Sequence, residues 1–302
     1  MRKSGWLISV LVLGILVLTG NAQADTFVTV VINNAAFGGG PIQSWSLDTT
    51  TGAATATGSF VPTGATDSNN GRAIAVTNTQ FYYTELTGGF GPTVQVETGP
   101  YNGGAGGADN GGFLNPIPGR GIQNLHFGAA GLYIVSGYPT SAPEVFIVDP
   151  ITGAILNTPV TLADDPAADG FTILPNGNYL LNEGDGSNLY DQYNPITGAR
   201  IAGTTITSPC PVGGLTSTGV DTDGVNLFFD CFSSARIAES DMAGHLIHLF
   251  TPPGDFGAGE GLSLIENFNP PPPGVPEPSS LVFVGACLLG LVGAIRRRKL
   301  SV

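Results

Sequence analysis

The stretch Asp221-Thr222-Asp223-Gly224-Val225-Asn226 has the residue types for metal chemistry, because oxygen-bearing side chains around a glycine can wrap a calcium ion. Such a loop also needs a bidentate glutamate at its twelfth position, and Phe232 stands there, so a plain turn is the better reading. His245 and His248 are three residues apart, a spacing that sends them to opposite sides of a strand and weakens them as a metal pair. His126 stands by itself and reads as a packed core residue. No Gly-x-Ser-x-Gly elbow, His-Glu-x-x-His helix or cysteine-nucleophile constellation occurs. The glycine runs Asn102–Gly107 and Asp109–Gly112 are not followed by the Lys-Ser/Thr and helix that a phosphate cradle requires. Gly88 to Gly119 therefore reads as a flexible insertion. No cofactor and no resident metal are called for.

What remains is a set of charged and polar residues that recur. Arg72-Ala73-Ile74, Arg120-Gly121-Ile122, Asp169-Gly170-Phe171, Thr218-Gly219-Val220 and Glu260-Gly261-Leu262 follow one another at steps of 48, 49, 49 and 42 residues. A turn and an aromatic-bearing strand follow each of the first four. A second unit places Asp or Asn shortly before a glycine: Asp48 to Gly52, Asp149 to Gly153, Asn194 to Gly198 and, more weakly, Asp241 to Gly244. Asx first, Pro next and Gly where φ turns positive is β-turn chemistry. A period near 48 with about four short strands in each repeat is the pattern of β-propeller blades. The repeats resemble, loosely, the YVTN and NHL-like propellers, a likeness that implies a fold and leaves the role open.

The repeat count implies how such a ring would close. The unit at Glu260 has no blade after it, while Thr26 to Ile32 has no unit before it. Gly261 to Ile265 is therefore expected to supply the inner strand of the blade begun by Thr26 to Phe60. The fold expected is an all-β, five-bladed propeller closed by N- and C-terminal strands in one blade. Six blades would follow if Gly88 to Gly119 hides strands, and an open β-sandwich is the third option. Residues at one repeat position lie on one ring about the axis, so Arg72, Arg120, Asp169, Thr218 and Glu260 are expected around one mouth of the channel. There they either neutralise one another or form a pocket for a small polar ligand such as a sugar.

Between residues 25 and 269 stand 22 of the 23 acidic residues but only Arg72, Arg120, Arg200 and Arg236 among the ten bases, a formal charge of −18 with no lysine. A surface of that sign repels phosphate backbones and anionic headgroups, which excludes nucleic acid as a partner class. Cys210 and Cys231 either form a disulfide closing a short loop or stay as two buried thiols, and export favours the bridge.

The two ends carry addresses. Met1-Arg2-Lys3, the apolar run Trp6 to Thr19 and Ala22-Gln23-Ala24 form a secretory signal peptide over residues 1–24, with Asp25 the expected mature N-terminus. The domain over 25–269 leads into a proline-rich linker over 270–280. Val275-Pro276-Glu277-Pro278 comes next, then the apolar run 281–295, then Arg296-Arg297-Arg298-Lys299 within the basic end 296–302. Fifteen residues make a helix of roughly 22 Å, a thin membrane span held by its basic stop on the cytoplasmic side. Short motif, apolar run and basic stop, in that order at the chain end, resemble the PEP-CTERM sorting tail of exported bacterial proteins. The resemblance implies an exosortase-type membrane peptidase as partner, membrane anchoring through the C-terminal helix before processing, and a final place on the cell surface or in the extracellular matrix. A permanent anchor is the alternative. Three classes of function follow: a non-catalytic surface or matrix protein whose propeller binds polysaccharide or protein, a propeller hydrolase of the lactonase type, and a matrix filler without a ligand.

Overall fold

A computed structural model describes residues 27–33, 41–61, 70–86, 93–101, 111–137, 142–163, 169–183, 187–211, 217–254, 259 and 261–265. The expected signal peptide 1–24, the linker 270–280 with Val275, Pro276, Glu277 and Pro278, the apolar run 281–295, the basic residues Arg296 to Lys299, and Glu260 lie outside the described residues.

Among the described residues, short β-branched and aromatic runs punctuated by turns give twenty strands in five four-stranded antiparallel sheets. Blade 1 holds β1 (Phe27–Asn33), β2 (Ile42–Asp48) and β3 (Ala53–Phe60). Blade 2 holds β4 (Asn70–Val76), β5 (Gln80–Leu86), β6 (Thr93–Pro100) and β7 (Gly112–Leu114). Blade 3 holds β8 (Ile122–Gly128), β9 (Gly131–Ser136), β10 (Glu144–Val148) and β11 (Val160–Thr161). Blade 4 holds β12 (Phe171–Ile173), β13 (Tyr179–Asn182), β14 (Leu189–Tyr193) and β15 (Ile206–Thr207). Blade 5 holds β16 (Gly219–Thr222), β17 (Leu227–Cys231), β18 (Arg236–Ser240) and β19 (Leu246–Phe250). The last strand, β20 (Gly261–Leu264), lies antiparallel beside β1, with Val30 opposite Leu264 and Asn33 opposite Gly261.

The innermost strands β4, β8, β12, β16 and β20 neighbour one another in cyclic order, β20 against β4 included. Side chains alternate between the two faces of each sheet, so every blade offers an apolar face to each neighbour. Five buried clusters result, one at each blade interface. Between blades 1 and 5 the cluster includes Val30, Trp45, Leu47, Phe228, Ile237 and Phe250. Burying a large apolar side chain contributes about 1.5–3 kcal/mol, against roughly 0.5–1.5 kcal/mol net for each hydrogen bond of the short β1–β20 ladder. Packing between blades thus outweighs pairing within the shared sheet. Trp45 Nε1 is satisfied by the Pro253 carbonyl at 3.2 Å.

The glycines of the Asx turns have a second duty that turn chemistry alone does not reveal. Gly153 has φ +71°, and a Cβ there would stand 2.3 Å from the Phe113 ring on the preceding blade. Gly198 has φ +68°, and its Cβ would meet the Thr161 carbonyl of the preceding blade at 1.9 Å. Gly52 and Gly244 likewise face His248 and Thr207. Each turn therefore docks on the outermost strand of the blade before it. Blade 2 lacks this unit, and at its interface with blade 1 the ring of Tyr101 packs with Val31 and Ile42 instead.

One expectation is corrected. Gly88 to Gly119 is not simply a flexible insertion, because Thr93–Pro100 and Gly112–Leu114 form the two outer strands of blade 2. Those strands complete that blade and do not build a sixth. Val96 and Phe113 pack into the blade 2–blade 3 cluster, a burial that the surrounding glycines hide.

Candidate functional site

The innermost strands start at one end of the ring. Asn124, early in β8, donates Nδ2–H to the Asp169 carbonyl just before β12 at 2.9 Å. Thr218, just before β16, donates its hydroxyl to the carbonyl of Gly259, just before β20, at 2.7 Å. This is the end at which the mouth was expected. Asp169 is buried, and its amide donates to Asn182 Oδ1 at 2.6 Å. Tyr190 and Ser217 share a hydrogen bond of 2.6 Å nearby. Burial first, and then the Asp230 and Asp169 charges, push the Tyr190 hydroxyl up. Asp169 and Thr218 thus stand just before β12 and β16 and link neighbouring blades. Arg72 lies in β4.

Arg120 turns elsewhere. Its guanidinium pairs with Glu144 at the start of β10, and Thr161 donates its hydroxyl to the other Glu144 oxygen at 3.2 Å. The loop that carries Arg120 is fixed by Asn115, which donates Nδ2–H to the Thr93 and Arg120 carbonyls, each at 2.9 Å. Asn115 Oδ1 accepts the Ile117 amide at 3.0 Å. The Pro116-Ile117-Pro118 segment so held faces Phe146 and Pro159 of blade 3 across a groove of about 370 Å3, with Arg120 and Glu144 in its wall. Sequence reasoning missed Glu144, Phe146 and Asn115. The only local sign was two prolines with an arginine two residues after the second.

At the axis stands Asp221, in β16 rather than in a calcium-type loop. Its Oδ1 accepts the Thr172 hydroxyl from β12 at 2.8 Å and the Thr222 amide at 2.9 Å. Its Oδ2 accepts the Leu264 amide from β20 at 2.8 Å. His126 of β8 comes within 3.5 Å, its ring edge-on to Tyr133 and Phe171. Burial lowers the His126 pKa and the Asp221 carboxylate opposes that shift. Ser263 of β20 accepts the Val76 amide of β4 at 3.1 Å. Downstream, Asp223 Oδ1 takes the amides of Val225 and Asn226, an ordinary Asx turn.

The remaining candidates resolve singly. Cys210 and Cys231 are joined by a disulfide across a separation of 21 residues. His245 lies in a turn and pairs with Asp241, while His248 lies in β19 and pairs with Glu239, which also accepts the Asn226 side-chain amide at 2.7 Å. Burial raises the Glu239 carboxyl pKa, against the lowering effect of His248. Among the described residues no three His, Cys, Asp or Glu side chains are grouped to hold a metal ion.

Comparison with known proteins adds the tail. No curated protein matches the chain. Among solved structures, a Bacteroides caccae protein of unknown function shares 10% identity at a TM-score of 0.47, over 80% of this chain and 99% of that one. A nidogen/laminin complex aligns at 13% identity and a TM-score of 0.43, over 78% of this chain and 85% of that one. A streptogramin B lyase aligns at 12% and 0.41, over 77% and 72%. The PEP-CTERM protein-sorting motif matches residues 274–299, so behind its five-bladed, all-β domain the chain carries a sorting tail of the kind that implies export and handling by a membrane exosortase.

Proposed function

We propose that this is a non-catalytic surface or matrix protein whose propeller binds polysaccharide or protein. In this reading residues 1–24 deliver it, the run 281–295 with its basic stop holds it in the membrane, and an exosortase-type peptidase releases it at Val275 to Pro278. The sorting motif at 274–299 is the observation that carries the proposal. Topology supports it. β20 runs away from the mouth, and β1 lies antiparallel to it, so both chain ends of the domain leave from the end opposite the mouth. We take the β1–β20 pairing as the latch of the ring.

Asp221 at the axis fits a structural role better than a catalytic one. A catalytic carboxylate needs lone pairs for its substrate or metal, and both Asp221 oxygens are engaged by donors of the ring itself. Mass spectrometry of the exported protein tests the sorting half: a C-terminus near Pro276 or Pro278 is expected, and an intact Val302 on the mature product would contradict it. Co-sedimentation of the exported protein with exopolysaccharide from the producing cells tests the binding half.

A further inference from the structure

We propose that the groove between the Pro116–Arg120 loop and blade 3 is a subsite for a neutral sugar. This deepens the function proposed above, since it supplies the polysaccharide-binding half of it. Four features point to this ligand class. The groove's volume of about 370 Å3 lies at the size where small-molecule sites begin. Its accessible apolar walls, Pro116, Ile117, Pro118 and Pro159 above the buried Phe146, suit the C–H faces of a pyranose ring. The one charged element is an ion pair that neutralises itself, Arg120 with Glu144, so neither a polyanion nor a polycation gains from it. Arg120 keeps 37% of its side chain exposed and Glu144 22%, and guanidinium N–H donors beside a carboxylate acceptor suit hydroxyls, which both donate and accept.

The site is also built before any ligand arrives. Asn115 is buried and holds the loop through three hydrogen bonds, so little order remains to be imposed on binding. The formal −18 of the domain turns acidic polymers away and lets uncharged glycans approach without repulsion.

The test uses the exported protein with four probes: maltotetraose, cellotetraose, polygalacturonate, and a peptide of residues 266–278 that offers the chain's own prolines. Calorimetric titration is expected to show at least one neutral tetrasaccharide binding, weakened tenfold or more by Arg120→Ala and by Glu144→Gln. Arg200→Ala, outside the groove, is expected to leave binding unchanged, and circular dichroism checks that each variant is folded. Tetrasaccharide binding insensitive to both groove variants overturns the subsite. Binding of only polygalacturonate or only the peptide overturns the ligand class. If neither tetrasaccharide binds, co-sedimentation with the native exopolysaccharide decides: loss in Arg120→Ala supports the subsite, and retention overturns it while the scaffold reading stands. Failure of the unaltered protein to co-sediment, with no probe bound, overturns both.

Discussion

Asp221 and Glu144 are the same chemistry in two settings. Asp221 sits at the axis, almost wholly buried, and takes neutral donors from β12, β16 and β20. Glu144 sits on the rim, partly exposed, and takes an arginine and a threonine. The first has both oxygens engaged, and two of its donors, Thr172 and Leu264, lie on strands distant in sequence. The second holds only a side chain and a loop end, and water already reaches it. Their difference separates two settings: the axis joins strands distant in sequence, and the rim is where we propose that a ligand is met.

Cutting the stitch has the largest expected effect. Asp221→Ala strands the Leu264 amide and the Thr172 hydroxyl in the interior and should cost about 3–5 kcal/mol, read by urea denaturation. Reducing the Cys210–Cys231 bridge removes a constraint on the unfolded chain and should cost about 3 kcal/mol by the same measurement, provided the oxidised and reduced forms both refold. Next comes the docking turn: Gly153→Ala meets both the positive φ and the Phe113 ring, and should lose about 2 kcal/mol or more. Gly177→Ala, with φ +84° and open space around it, should lose only the backbone share, about 1 kcal/mol.

A pH titration sharpens the contrast further. With its folded pKa below the ordinary histidine value, His126 takes up its proton more readily in the unfolded chain. Its contribution to stability is therefore complete above the unfolded value and falls as pH drops below about 6.5. His126→Phe should flatten that part of the thermal-stability profile. The smallest effect is expected at the rim, where Arg120→Ala should change stability by under about 1 kcal/mol, because an exposed pair gains little over its hydrated partners.

How much of this could be read from the chain follows the range of each interaction. The Asx turns were legible because Asp149 and Asn194 bond to amides two and three residues on. The repeat period and the five sheets followed from the same local grammar. Blade 2 was obscured where Pro100 and Tyr101 replace the turn and glycines surround β7, so that two strands looked like coil. Asp221 looked like a turn residue because its partners lie 49 residues before it and 43 after it. Arg120 was expected at the channel because repeat position fixes where a backbone lies. It does not fix which way a long side chain turns, and the Arg120 guanidinium pairs with Glu144, 24 residues on.

Melting curves with and without the tetrasaccharide that binds, recorded for Asp221→Asn and Arg120→Ala side by side, test the division between axis and rim most directly. The account predicts that Asp221→Asn melts lower yet keeps the full ligand-induced shift, while Arg120→Ala melts as the unaltered protein does and loses that shift. A ligand shift that survives in Arg120→Ala and vanishes in a folded Asp221→Asn would contradict it.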